Sequence, residues 1–131
     1  MVKTALVIIL LLLSSSLLFA KRKAPAEVKP VVYKGVKYSV ALAENNNPAM
    51  GIIEATDIKT GKQVWKTKVY EIVYIPHLET DVQWVYITKL YIEKNQLVAI
   101  NETNDKYRID LKTGKVLSGR TKIKTIINPK P

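Results

Sequence analysis

The chain has no cysteine, a single histidine and only five glycines in 131 residues. Without cysteine no disulfide can staple the fold and no lipid-modified N-terminal cysteine can form, so an exported product must hold together by its core alone. All imidazole chemistry has to run through His77. Ser39 and Ser118 lack a G-x-S-x-G setting, which removes the usual hydrolase nucleophile. Beyond Pro30 there is no sustained i, i+3, i+4 apolar spacing, and this excludes amphipathic helices as the main architecture. Acidic residues are few: 11 Asp and Glu face 21 Lys and Arg, a net charge of +10.

The first 23 residues stand apart. Lys3 precedes an apolar or small stretch, Ala5 to Ala20, interrupted only by Ser14-Ser15-Ser16 and followed by Lys21-Arg22-Lys23. A positive start, a short apolar middle and small residues form the layout of a secretory signal. As a helix the stretch spans about 24 Å, short of the ~30 Å hydrocarbon core, which favours cleavage. The basic triplet can equally act as a cytoplasmic stop that leaves an uncleaved N-terminal anchor. Residues 1–23 are therefore expected to be a signal peptide or membrane anchor, 24–30 an extended spacer, 31–128 one domain and 129–131 a tail. The protein is expected in the periplasm or secreted, or else tethered to the inner membrane.

Val, Ile, Thr, Tyr and Trp fill the domain, and turn signals recur roughly every ten residues, which predicts an all-β fold of about eight antiparallel, hairpin-linked strands. Val36 to Leu42 alternates as a half-buried strand. Two longer segments, Val64 to Ile75 and Val82 to Lys94, read as long strands, the second apolar on both faces and so predicted to be covered on two sides. Most informative is a repeated corner. Asp57-Ile58-Lys59-Thr60-Gly61-Lys62 returns 53 residues later as Asp110-Leu111-Lys112-Thr113-Gly114-Lys115. In each copy an acid closes a strand, Thr60 or Thr113 helps make the corner, and Gly61 or Gly114 takes the positive φ that β-carbons avoid.

The stretch from Gly51 to Trp65 resembles the blade repeat of PQQ-like (quinoprotein) β-propellers: a glycine, an apolar strand ending in aspartate, a T-G-K corner and a tryptophan. The second copy, Leu97 to Leu117, shares Leu97, Val98, Tyr107, Asp110, Thr113, Gly114 and Lys115, and departs at Leu117, where the tryptophan would stand. The resemblance implies about two partial repeats. Closing a propeller normally takes at least four blades, so a complete ring and PQQ binding are not expected from one copy. It implies a small sandwich, or a partial propeller completed by oligomerisation.

Candidate chemistry is sparse. His77, Glu79 and Asp81 follow one another at two-residue steps, so in an extended segment they share a face. They can hold a hard cation or let a carboxylate orient a histidine base, or simply form a solvated polar loop. No other cofactor is implied. Asp57 and Asp110 can be read as paired acids, but their place before each corner predicts that they accept turn amides instead. Trp65, Trp84, Tyr70, Tyr74, Tyr86 and Tyr91 are either a stacking platform or a core aromatic ladder. Asn101-Glu102-Thr103 matches a glycosylation acceptor.

The basic excess favours anionic surfaces, and with an export signal ahead of it nucleic acid is not an expected partner. The sequence thus predicts a binding module whose partner is a protein or an anionic envelope polymer, with a homo-oligomer or the membrane (through an uncleaved N-terminus) as further partners. The alternative is a minimal secreted hydrolase with a cation-assisted site at His77, Glu79 and Asp81.

Overall fold

A computed structural model describes residues 26–44 and 46–126. The expected signal or anchor at 1–23 and the tail at 129–131 lie outside the described residues. What is described is all-β. Strands β1 (Val31–Tyr33), β2 (Val36–Leu42), β3 (Pro48–Asp57) and β4 (Gln63–Lys68) form one antiparallel sheet in chain order. Strands β6 (Ile87–Glu93), β7 (Gln96–Asn101), β8 (Lys106–Ile109) and β9 (Val116–Ser118) form a second sheet of the same design. Between and after them, β5 (Glu71–Ile72) pairs with β10 (Lys122–Ile123) in parallel. Ten strands thus replace the expected eight, and one short pair is not antiparallel.

Local chemistry sets each reversal. Lys34-Gly35 and Lys94-Asn95 are two-residue turns with positive φ at both positions, the geometry whose twist matches a tight hairpin. The repeated corners close β3 onto β4 and β8 onto β9, each with a bulge beside the corner, where Val64 or Leu117 on the return strand is the extra residue opposite Ala55/Thr56 or Arg108/Ile109. That shared bulge fixes the alignment of the repeats. Trp65 stands opposite Ala55, and Ser118 stands opposite Arg108. The tryptophan's counterpart is therefore Ser118, and Leu117 is the bulged, exposed neighbour.

One apolar core joins the two sheets. Tyr38, Ile53, Ala55 and Trp65 enter it from the first sheet, and Leu90, Leu97, Ala99, Tyr107 and Ile109 from the second. Strand alternation puts these on the inner faces, while Lys37, Glu54, Lys66 and Lys68 on one sheet and Lys89, Lys106 and Arg108 on the other stand outside. The Tyr70 and Tyr107 rings stack with centroids 5.3 Å apart. Tyr70 donates its hydroxyl to the Val85 carbonyl at 2.7 Å, which ties the connection between the sheets to their centre.

Both long strands are interrupted. The Val64–Ile75 run leaves the sheet after Lys68: Val69 N donates to the Gly51 carbonyl, and Val69 and Tyr70 turn into the core. The Val82–Lys94 run opens with a 3-10 turn at Asp81–Gln83, passes extended through Trp84 to Tyr86, and becomes a strand only at Ile87. The apolar residues are continuous because the chain crosses the core between sheets, not because a strand is covered on two faces. Within β6, Tyr91 and Ile92 are only half-buried.

Candidate functional site: a lysine-ringed end

In an antiparallel meander every second reversal falls at the same end. The register places Val36 opposite Asp57 in the first sheet and Leu97 opposite Ile109 in the second. Contacts between the sheets then bring the two ends together. The Tyr33 hydroxyl donates to Asn95 Oδ1 at 3.2 Å, and the Trp65 indole N–H and the Tyr38 hydroxyl both donate to the Leu111 carbonyl, at 2.9 and 3.4 Å. All four tight reversals therefore share one end of the molecule. Each carries lysine: Lys34, Lys59, Lys62, Lys94, Lys112 and Lys115, all exposed. Among the described residues none of these six forms an ion pair.

The nearby aspartates bond first to their own turns. Asp57 accepts the Thr60 amide at 3.0 Å, and the Lys62 amide donates to the Thr60 hydroxyl at 3.2 Å. In the second corner Asp110 accepts the Thr113 amide and hydroxyl at 2.9 and 2.8 Å and the Lys112 amide at 3.1 Å. The Thr113 amide, with the Thr113 hydroxyl, holds the Asp110 carboxyl below its usual range. Glu93 is likewise held low by its 2.6 Å bond from Arg108 on the outer face. Six ammonium groups thus surround two carboxylates, Asp57 and Asp110, each of which bonds its own turn through one oxygen.

Between the Lys34-Gly35 turn, Asn95 and the second corner lies a cleft of about 580 Å³, walled by Tyr33, Tyr38, Val64 and Leu111, with Asn95, Asp110, Lys34 and Lys112 as the polar part of its lining. The Lys34 ammonium sits over the Tyr33 ring, 5.2 Å from its centroid. Ile58 and Val64 are 53% and 48% exposed beside the lysines.

The two corners differ in surroundings. A β-carbon placed on Gly114 would lie 2.5 Å from Trp65 Cδ2 and 2.6 Å from Thr67 Oγ1, whereas one on Gly61 meets nothing within 4 Å. The second corner is docked against the first sheet; the first corner points to solvent.

His77, Glu79, Asp81 and Asn101 lie toward the opposite end. His77 and Glu79 are exposed and Asp81 opens the 3-10 turn. Among the described residues there is no group of three or more His, Asp or Glu side chains that would hold a metal ion. Their loop is organised by Gln83, which is 1% exposed: its amide oxygen accepts Ile75 N at 2.7 Å, and its nitrogen donates to the Ile75, Leu78 and Glu79 carbonyls at 3.2–3.3 Å. Asn101, also 1% exposed, accepts the Thr103 amide and hydroxyl and the Asp105 amide, and its own nitrogen donates to Asp105. Asn101 of the acceptor-like tripeptide is thus a buried turn keystone, while Glu102 and Thr103 are exposed. Burial pushes the Asp105 carboxyl up, but bonds from Arg120, Thr103 and Asn101 outweigh it and hold it below its usual value. The aromatic set divides: Trp65, Tyr70 and Tyr86 are buried, Trp84 and Tyr86 meet edge to face at 6.3 Å, and Tyr74 stands in solvent.

Gln83 leaves no mark in the sequence because an isolated amide carries no spacing signal, and Asn101 shows there only as the first residue of an acceptor tripeptide, not as the organiser of its turn. The lysine ring was legible only as a scattered basic excess, since its members come from four separate turns. Among the described residues no helix is long and apolar enough to cross a membrane. No family model matches the chain, and no curated protein matches it at a significant level.

Proposed function

We propose that this protein is an exported or membrane-tethered binding module of the cell envelope or extracellular space, which holds an anionic polymer by its lysine-ringed end. The observation that carries this reading is the convergence of six exposed lysines from four turns, none of them in an ion pair among the described residues. Lysine ammoniums on turn tips are point charges without a fixed fork, suited to a chain of repeating charges rather than one rigid anion. The chain enters through β1, which runs toward the corners. An anchor ahead of β1 would therefore present the lysine end away from the membrane.

In this reading the two sheets are blade-like repeats that close face to face as a self-sufficient pair. Charged outer faces and Ser118 in the tryptophan's place speak against further copies stacking into a ring. Catalysis is not part of the proposal, since Asp57 and Asp110 serve their turns and the His77 loop gathers no cluster. The test is binding of the full-length protein to an immobilised polyanion across a salt series. Affinity should fall on the order of tenfold or more between 50 and 200 mM salt, because ammonium contacts release counterions. Absent binding, or binding indifferent to salt, would refute it.

A further inference from the structure

We propose that this cleft beside the second corner is a subsite for one acidic sugar unit of an anionic polysaccharide; this rests on the anion-binding reading above. The cleft joins three features that an acidic sugar requires and a bare charge does not. Tyr33, Val64 and Leu111 give it apolar walls against which the C–H face of a pyranose can lie. Asn95 and Asp110 place amide and carboxylate groups where ring hydroxyls need partners. Lys34 and Lys112 complete the polar lining and can meet a carboxylate. Its volume, about 580 Å³, is within the ~300–1,000 Å³ of small-molecule sites.

The site is built before a ligand arrives. Asn95 and Lys34 belong to two-residue turns with fixed positive φ. Asn95 Oδ1 is oriented by the Tyr33 hydroxyl, and among the described residues Asn95 Nδ2 donates no hydrogen bond, so it is open to a ligand oxygen. Asp110 favours a sugar over a phosphate group. Among the described residues Asp110 Oδ1 accepts no bond from its turn, so it can take a ring hydroxyl while the sugar's carboxylate lies toward the lysines; a polyphosphate chain has no such hydroxyl to give, and the cleft has no arginine fork for bidentate phosphate recognition.

The experiment titrates the full-length protein with trigalacturonate, with the neutral trisaccharide maltotriose, with inorganic polyphosphate and with phosphatidylglycerol vesicles. Wild type is compared with Asn95→Gly, which keeps the positive φ, with Tyr33→Phe, which removes only the hydroxyl, and with Lys59→Gln/Lys62→Gln, which leaves the cleft intact. Trigalacturonate should bind and maltotriose should not. Asn95→Gly should weaken trigalacturonate at least fivefold and Tyr33→Phe about threefold, with melting temperatures near wild type and polyphosphate binding unchanged. Lys59→Gln/Lys62→Gln should weaken polyphosphate more than trigalacturonate. If Asn95→Gly leaves trigalacturonate unchanged, or weakens every anion equally, the subsite is overturned while the lysine-ringed end stands. Preference for polyphosphate or vesicles over trigalacturonate overturns it too. If no anion binds wild type, both readings fall.

Discussion

Alanine at Gly114 and alanine at Gly61 are the same substitution in the same hexapeptide, yet the structure assigns them different costs. The backbone term is shared: φ is +74° and +71°, and an L-residue in the left-handed region costs about 1–2 kcal/mol. Only at Gly114 does the new methyl collide, at 2.5 Å from Trp65 Cδ2 and 2.6 Å from Thr67 Oγ1. Trp65 cannot simply rotate away, because its indole N–H is bonded to the Leu111 carbonyl of the same corner. Overpacking of this kind adds about 1–3 kcal/mol. Gly114→Ala should therefore destabilise by about 2 kcal/mol more than Gly61→Ala. In a domain of this size that is a difference of roughly 8–16 °C in Tm, at about 4–8 °C per kcal/mol. Thermal unfolding followed by circular dichroism reads it directly. Equal losses for the two variants, or a larger loss at Gly61, would refute the claim that the second corner alone is docked on the first sheet.

Gln83→Ala should cost about 2–3 kcal/mol, read as a lower urea midpoint, because it orphans Ile75 N and the Leu78 and Glu79 carbonyls that the buried amide gathers. An unchanged midpoint would mean that the loop does not depend on the amide. Alkaline unfolding should report on Tyr107. Its hydroxyl donates to the Arg120 carbonyl, and burial, with Asp105 adding, pushes its pKa up to about 12 from 10.0. The folded state thus keeps a proton that the unfolded chain releases near pH 10. The corresponding stability is full below pH 10 and lost as pH rises through about 12. Tyr107→Phe should make that limb of the stability–pH curve shallower, the remainder coming from Tyr70, whose pKa burial also pushes up; an unaltered limb would count against the assignment.

Much of the architecture is written locally. The hexapeptide announces its own hairpin, since Asp, Thr and Gly each do one job within six residues, and Val36 to Leu42 shows its inner face by alternation. The two long segments misled for a physical reason. An apolar run looks alike whether a strand is buried on both faces or a chain crosses a core, and what decides between them here is distant: Gly51 accepting Val69 N, and Gln83 capturing its loop. The parallel pairing of β5 with β10 joins residues about 50 apart and leaves no mark in either. The candidate site was less legible still. Lys34, Lys59, Lys94 and Lys112 are each ordinary turn residues, and only the meander, by putting alternate reversals at one end, makes them a group.

The central claim is that the position of the lysines, not the net charge, gives this protein its partner. It is tested most directly by moving the loss of charge. One variant carries Lys→Gln at Lys34, Lys59, Lys62, Lys94, Lys112 and Lys115; a second carries it at Lys66, Lys68, Lys89, Lys106, Lys122 and Lys124. Both lose six charges from the same +10. Binding of the two full-length variants to an anionic polysaccharide is then compared at one ionic strength. The account predicts that the first loses on the order of a hundredfold in affinity and most of its salt dependence, while the second stays within about threefold of wild type. Equal weakening of the two variants would contradict it.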